Sequence, residues 1–260
     1  AEAIRVSLVW LSDLRLNAVV SGPEDASPLV LIHGLGLDLQ LWDALASALP
    51  RTRILRLDLR GHGSSDTPPA PYTLGTLIRD VERLIDHFAL RDAVVLGQGE
   101  GGLIAQGLAV KRLDLVRALV LTGSATRLGN PDHWQARIAR HRDRGPDHYA
   151  DGAALLGPRW QGLPAAASVR GMLAQTRPTG WQGVASAIAT ADLYQTTATL
   201  TLPTLVLAGG DDRKVPPDMQ RETADLIAGA EMRILPGAPH LAMLTDPDGF
   251  SSVLSGFLTR

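Results

Sequence analysis

Short apolar segments alternate along the chain with longer segments of helical periodicity, and this alternation constrains the fold more than any other feature. Apolar runs of strand length, bounded by turn-forming residues, are typical of strands buried on both faces of a parallel sheet. They cover residues 29–32, 54–57, 93–96, 118–121, 204–208 and 232–235. The helical patterns between them cover residues 41–49, 77–88, 103–111, 219–227 and 250–258. With an antiparallel hairpin at 6–9 and 14–20, the pattern predicts a doubly wound α/β fold: a mostly parallel eight-stranded sheet with helices on both faces.

The alternation is interrupted between residues 124 and 200, where no buried strand is predicted. Helical patterns at 134–141, 149–156, 165–175 and 183–191 are separated there by glycine and proline. Open α/β sheets bind ligands beyond the carboxyl ends of their strands, so this insertion predicts a helical cap over a ligand site. A helical decoration with no site beneath it is the alternative. The expected division is a core of residues 1–123 and 201–260 and a cap of residues 124–200.

Composition narrows the class of protein. The chain has 260 residues, a net charge of −2 and a hydrophobic fraction of 45%. This balance favours a small-molecule substrate over a nucleic-acid partner. The absence of cysteine excludes thiolate chemistry and fits a cytoplasmic location. No apolar run approaches the roughly 18 residues of a membrane span, so no membrane association is expected, and a homo-oligomer is left open.

A glycine-rich turn follows the apolar run at 93–96. It reads Gly97-Gln98-Gly99-Glu100-Gly101 and leads into a helical pattern. One large class of enzymes carries G-x-S-x-G at such a strand-to-helix turn, and its serine is the nucleophile. In this chain Gly99 stands at the nucleophile position. The turn strains the backbone of any residue that has a Cβ, and glycine tolerates that strain.

Three further motifs follow predicted strands. The segment LVLIHGLG, residues 29–36, ends in a loop of small residues, and LDLRGHGSSD, residues 57–66, ends in a second loop. We expect His33, Arg60 and His62 to support these loops. Late in the chain, an acid follows LVLAGG and a histidine, His240, follows ILPGAP. The spacing G-x-x-D favours Asp212 over Asp211 as that acid.

The order nucleophile position, acid, histidine is that of the α/β-hydrolases, and the chain resembles this superfamily over nearly its whole length. Its segment TGSATRLGNPDHWQARIA, residues 122–139, with Trp-x-x-Arg-Ile, resembles the start of the cap in the 3-oxoadipate enol-lactonase group. The resemblance implies an α/β-hydrolase fold and an enzyme that acts on a small, carboxylate-bearing ester, lactone or related carbonyl compound. The sequence itself gives no sign of a metal, nucleotide or redox cofactor, so no cofactor is expected. It assigns His240 as general base and Asp212 as its orienting acid. It also assigns the backbone N–H groups of Leu35 and Glu100 as the oxyanion hole.

Trp134 and Arg137 are the predicted substrate-binding residues, and the roles of Glu100 and Arg137 leave alternatives open. An ionised Glu100 would oppose an oxyanion, so a raised pKa could keep it neutral as an acid or base. Otherwise it turns to solvent in the first turn of a helix, where the helix dipole favours it. Trp134 and Arg137 lie three residues apart, and Arg137 could clamp a substrate carboxylate. The alternative for Arg137 is a solvated basic helix face.

Gly99 leaves three hypotheses for function. In the first hypothesis the chain is an altered α/β-hydrolase enzyme that uses His240 and Asp212, with or without Glu100, in acid–base chemistry, either in a non-hydrolytic reaction or by direct attack of water. In the second it is an ordinary serine lactonase or esterase whose serine was replaced artificially. The third hypothesis is a pseudoenzyme that retains the pocket for binding. Without a hydroxyl at residue 99 no acyl-enzyme can form, so poor ester hydrolysis is expected.

Overall fold

The computed structural model describes residues 5–259, without the side chains of residues 5, 6, 148 and 149. Its strands are Arg5–Leu11 (β1), Leu14–Ser21 (β2), Pro28–Ile32 (β3), Arg53–Leu57 (β4), Ala93–Gln98 (β5), Val116–Thr122 (β6), Thr204–Gly209 (β7) and Glu231–Leu235 (β8). They form one eight-stranded sheet in the order β1-β2-β4-β3-β5-β6-β7-β8. β1 pairs antiparallel with β2, β2 pairs antiparallel with β4, and the other neighbours pair parallel. The predicted hairpin and mostly parallel sheet are confirmed.

Helices cover both faces of this sheet. They are Asp43–Ala48 (α1), Leu74–His87 (α2), Glu100–Lys111 (α3), Pro131–Arg144 (α4), His148–Leu156 (α5), Pro164–Gln175 (α6), Pro178–Ala189 (α7), Tyr194–Thr197 (α8), Pro217–Leu226 (α9), Ala242–Thr245 (α10) and Pro247–Leu258 (α11). Along β3, Val30 and Ile32 pack into one hydrophobic core with residues of α2 and α3. Leu29 and Leu31 pack into a second core with residues of α1 and α11. This alternation explains why the strand is continuously apolar.

The predicted burial of the last apolar run is wrong. The run at 232–235 was expected to be buried on both faces, but β8 is the final strand of the sheet. Arg233 and Ile234 are exposed, and Leu235 alone within β8 is buried. An edge strand has a neighbour on one side only, and this leaves more of it exposed. The apolar composition of the run does not show whether it lies at an edge.

Helices α4 to α8 lie between β6 and β7 along the chain, in the segment for which a cap was predicted. Residues 1–4 and 260, which that division assigned to the core, lie outside the described residues. Asn130 caps the first of these helices by accepting a hydrogen bond from the His133 N–H at 2.8 Å, and Pro131 follows at the first helical position. These are preferred helix-starting residues. In the part of the chain that is described, no helix is long and apolar enough to cross a membrane.

Candidate active site

The turn between β5 and α3 adopts the strained geometry expected of a nucleophile-bearing turn. Gly99 has φ 54° and ψ −122°, a conformation that favours glycine. A Cβ built on Gly99 would lie 3.4 Å from Nε2 of His240 and 3.9 Å from the Gly123 carbonyl oxygen. A side chain at residue 99 would therefore point at the histidine. Gly99 itself places no side chain beside Nε2.

Asp212 and His240 come together beneath this turn, each following its own strand. Nδ1 of His240 is 2.9 Å from Oδ2 of Asp212, and both side chains are buried. The other carboxylate oxygen of Asp212 accepts the N–H groups of Lys214 and Val215, each at 2.9 Å. The Gln220 amide adds a donor to Oδ2 at 3.3 Å. A carboxylate held by several donors has little freedom, so it fixes the orientation of the imidazole.

The opposite ring nitrogen of His240 faces Gln98, which sequence analysis did not single out. The Gln98 amide nitrogen is 2.8 Å from Nε2 of His240. Gln98 is the last residue of β5, and its side chain is fully buried. In a serine hydrolase the nucleophile's hydroxyl bonds this nitrogen. Here a glutamine amide makes that contact.

Glu100 is neither a raised-pKa acid nor a solvated side chain, and both expectations for it are wrong. Its side chain is 1% exposed, and Oε1 accepts a hydrogen bond from Nζ of Lys214 at 3.0 Å. Oε2 accepts the backbone N–H of Leu35 at 2.9 Å. Burial by itself would raise the pKa of Glu100, but the Lys214 ammonium and the Leu35 N–H outweigh it and lower the pKa to about 2. Glu100 is therefore an ionised, paired carboxylate at neutral pH.

The same contacts change the expected oxyanion hole. The Leu35 N–H, assigned as one oxyanion donor, is already bonded to the Glu100 carboxylate. The second donor, the Glu100 N–H, belongs to the first residue of α3, where a backbone N–H has no partner within the helix. A substrate oxyanion at Leu35 would have to displace a charged side chain of the protein itself.

Gly34 explains how the polar side chains of Gln98 and Glu100 fit into this corner. A Cβ on Gly34 would lie 2.5 Å from Oε1 of Gln98 and 2.9 Å from Oε2 of Glu100. Any larger residue at position 34 would displace one of them. The small residues of the LVLIHGLG loop were expected to let the chain turn, and at Gly34 they also make room for these side chains.

A cavity of about 310 Å³ opens in front of His240 and Gly99. Its walls come from the turn before α3, the segment before α4, α4 itself, the loop after β7, α9 and the loop after β8. The lining residues are Gly99, Glu100, Leu128, Gly129, Asn130, His133, Trp134, Arg137, Lys214, Val215, Met219 and His240. The volume lies at the lower end of the range for small-molecule sites, which run from about 300 to 1,000 Å³.

Both substrate-binding residues predicted from the sequence, Trp134 and Arg137, line this cavity. Trp134 is 2% exposed and donates its Nε1–H to the Leu128 carbonyl. The Arg137 guanidinium lies 4.7 Å from the Trp134 ring centre and 5.4 Å from that of Trp181. It is also 3.7 Å from a carboxylate oxygen of Asp151. Arg137 thus turns inward with a counter-ion of its own.

The loop histidines lie where sequence analysis expected them. His33 Nε2 accepts the Leu59 N–H at 3.0 Å, and His62 Nε2 accepts the Gly36 N–H at 3.0 Å. Burial lowers the pKa of His33 to about 4 and that of His62 to about 3. Both rings are neutral supports that join the two loops. Within residues 5–259, no group of three or more metal-ligating side chains could hold a metal ion.

Comparison with known proteins agrees with this geometry. The sequence profile described as "Alpha/beta hydrolase family" matches residues 29–253, which is most of the chain. The chain belongs to the alpha/beta hydrolase family. The α/β-hydrolase fold expected from the sequence is thereby confirmed.

Individual members of the alpha/beta hydrolase family match the chain over almost its whole length. It is 27% identical over 256 residues to "3-oxoadipate enol-lactonase 2" of Acinetobacter baylyi, covering 95% of this chain and 94% of the relative. The enol-lactonase structure from Burkholderia xenovorans has a TM-score of 0.90 and 30% identity, covering 96% of this chain and 98% of the other. A hydrolase structure from Pseudomonas aeruginosa has a TM-score of 0.91 and 32% identity, covering 99% and 98%. The resemblance is to hydrolases that include enol-lactonases.

Two residues that shape the site were missed in the sequence. Gln98 lies inside the turn motif, but its position in G-x-S-x-G carries no chemical requirement. Lys214 lies two residues after Asp212, in a loop where a lysine is ordinarily solvated. Neither spacing nor composition could show that Lys214 reaches Glu100, 114 positions earlier in the chain.

Proposed function

We propose that this α/β-hydrolase is an enzyme in which His240, oriented by Asp212, moves a proton on a small carbonyl compound without forming an acyl-enzyme. The observation that carries the proposal is the placement of His240. Its Nδ1 is bonded to Asp212 at 2.9 Å, and His240 lines a cavity of about 310 Å³. Its Nε2 contacts the Gln98 amide at 2.8 Å, so this amide has to move aside before Nε2 can exchange a proton with a substrate. A buried imidazole held by a carboxylate at the wall of a cavity has the attributes of a general acid–base catalyst.

The contacts of Glu100 argue against hydrolysis by the serine route. That route needs a hydroxyl at residue 99 and free donors for the oxyanion. The chain has glycine at residue 99, and the Leu35 N–H is bonded to the Glu100 carboxylate. Glu100 would also place a negative charge beside a forming oxyanion. Two requirements of the serine route are therefore unmet at once.

Artificial replacement of a serine would explain only one of these departures. A single substitution at residue 99 does not introduce Glu100 or its partner Lys214, which lie within 3.0 Å of each other. One observation still favours a serine enzyme as the second candidate: a side chain at residue 99 would point directly at His240. The two candidates make opposite predictions for restoration of the serine.

Cationic side chains in the cavity support a substrate that bears a carboxylate. Lys214 and Arg137 both line the cavity, and each has a carboxylate partner in the protein. A substrate carboxylate would replace Glu100 as the partner of Lys214, or Asp151 as the partner of Arg137. We infer a small oxo acid, enol ester or lactone as the substrate class, in keeping with the enol-lactonase relatives.

Proton exchange at carbon tests the proposed function directly. The protein is incubated in D₂O with small keto acids and with their enol-lactones, and NMR follows deuterium uptake next to the carbonyl and ring opening. We expect uptake that falls by at least about 100-fold in His240→Ala, the usual size of a general acid–base contribution. His87→Ala, an exposed histidine at the end of α2, is the control. Equal uptake in wild type and His240→Ala would refute the proposal.

A further inference from the structure

A second cavity lies at the end of the sheet opposite His240, and we call it the amino-end cavity. Its volume is about 570 Å³, compared with about 310 Å³ for the cavity that His240 lines. Its walls are the amino ends of β3 and β6, the loop between α1 and β4, and the last turn of α11. β6 has seven residues and spans about 20 Å, so the length of a strand separates the two cavities. The amino-end cavity is therefore distinct from the candidate active site.

Two arginines supply the full charges of the amino-end cavity. Arg51 is exposed in the loop before β4, and Arg117 is half-buried on β6. Among residues 5–259, neither guanidinium has a hydrogen-bond or ion-pair partner. The described residues that line this cavity include no aspartate or glutamate. Each guanidinium has five N–H donors, so the cavity offers two cationic groups whose donors are free for a ligand.

Two helix ends at the amino-end cavity oppose the binding of an anion, but their charge is smaller than that of the arginines. α1 ends at Ala48 and α11 ends at Leu258, and both residues line the cavity. The C-terminus of a helix carries about half a negative charge. Two guanidinium groups and two such helix ends leave a net charge of about +1. This balance suits a ligand with one negative charge.

Apolar side chains form another part of the wall. Pro28, Leu49, Pro50 and Leu258 line the same cavity as the two arginines. Leu49 is buried and Leu258 is half-buried. Hydrocarbon atoms of a ligand are stabilised when they leave water for such a surface. The volume lies within the range of small-molecule sites, about 300 to 1,000 Å³, so the cavity has room for a hydrocarbon part beside a charged group.

We propose that the amino-end cavity is a second ligand site, which binds a small amphiphilic carboxylate. The carboxylate pairs with Arg51 and Arg117, because a guanidinium binds a carboxylate through two parallel hydrogen bonds. The hydrocarbon part of the ligand packs on Leu49, Pro50 and Leu258. No group of the candidate active site takes part, so the second site is independent of the proposed acid–base function.

An NMR titration of the protein with octanoate tests this proposal. With ¹³C-labelled leucine methyl groups, Leu49 and Leu258 report on the amino-end cavity, and Leu128 reports on the cavity that His240 lines. We expect the resonances of Leu49 and Leu258 to shift with one common Kd. Octanamide has the same chain length without the charge and should bind there about tenfold more weakly. Shifts at Leu128 without shifts at Leu49 and Leu258, or equal binding of octanamide, would overturn the proposal.

Substitution of the two arginines tests the source of the charge. We expect Arg51→Met and Arg117→Met each to raise the Kd of octanoate, measured at Leu49 and Leu258, by about tenfold. Arg51 is exposed, so its replacement leaves the packing of the core intact. Arg79→Met, which changes an exposed arginine of α2 outside the cavity wall, is the matched control and should leave the Kd unchanged. An unchanged Kd in both Arg51→Met and Arg117→Met would refute the second site.

Discussion

At the scale of single residues, Gly99 and Glu100 are the basis of the proposed chemistry. Residue 99 has no hydroxyl, and the neighbouring glutamate accepts the Leu35 N–H that the resemblance assigned to an oxyanion. Lys214 holds that glutamate ionised, with a pKa of about 2. Together these contacts place a paired, ionised carboxylate beside a buried histidine whose two ring nitrogens contact Asp212 and Gln98.

Restoring the serine separates these two effects. We expect Gly99→Ser alone to leave the hydrolysis of small aryl esters low, because Glu100 still bonds the Leu35 N–H. Gly99→Ser with Glu100→Met should hydrolyse them about 100-fold faster than the single variant, the typical value of one oxyanion donor. Gly99→Ser with Glu222→Ala, an exposed glutamate of α9, is the control. High activity in Gly99→Ser alone would instead favour the ordinary serine enzyme.

At the scale of elements, α4 contributes side chains to the wall of the cavity. Trp134, Arg137 and His141 lie three and four residues apart, so they share one helix face. Trp134 and His141 are 2% and 6% exposed, and the His141 ring stacks on Trp181 at 4.2 Å. Arg140, three positions after Arg137, is exposed. The helix therefore buries one face and presents Arg137 to the cavity.

This arrangement predicts charge-selective binding by α4. Arg137→Met keeps the aliphatic packing between the tryptophans and removes the charge. We expect it to weaken the binding of adipate about tenfold and to change that of dimethyl adipate little, as measured by NMR titration. Arg140→Met on the exposed face should affect neither ligand. Equal losses for both ligands in Arg137→Met would contradict a carboxylate contact.

At the scale of the whole molecule, the loops at the carboxyl ends of the strands bury titratable groups that make stability depend on pH. Protonation of the buried histidines opposes folding, and protonation of a buried aspartate supports it. Burial lowers the pKa of His33 to about 4 and of His62 to about 3. Burial raises the pKa of Asp38 to about 6. As the pH falls below the ordinary value of histidine, near 6.5, the unfolded chain binds two protons that the folded histidines resist. Asp38 acts oppositely, because the folded state binds its proton first.

The stability of the protein should therefore fall on mild acidification. Between pH 6.5 and 4.5 the unfolded chain takes up the protons of His33 and His62, which destabilises the folded state. The folded chain takes up the proton of Asp38, which offsets part of that effect. The net prediction is a loss of about 3 kcal/mol in the free energy of unfolding. Asp38→Asn, which keeps an acceptor for the Gln40 N–H, should lose about 5 kcal/mol over the same range, because the opposing carboxyl is gone. Urea unfolding at the two pH values measures both slopes. Identical slopes would show that Asp38 does not titrate in this window.

The sequence by itself determined the strand-and-helix alternation, the place of the helical segments between β6 and β7, and the turn at Gly99. Strand burial, helix periodicity and glycine turns are local properties, and a linear chain displays them directly. The edge position of β8 was not visible, because a strand's neighbours are set by the order of the sheet.

Only the tertiary structure decided the state of Glu100. The sequence offered a neutral acid or a solvated side chain, and the fold instead brings up Lys214 and the Leu35 N–H within 3.0 Å. The partner that Gln98 finds in His240 is likewise 142 positions away. Such contacts depend on how separate strand ends converge at one edge of the sheet. The electrostatics of a buried site therefore follow from three-dimensional proximity, which residue identity alone does not specify.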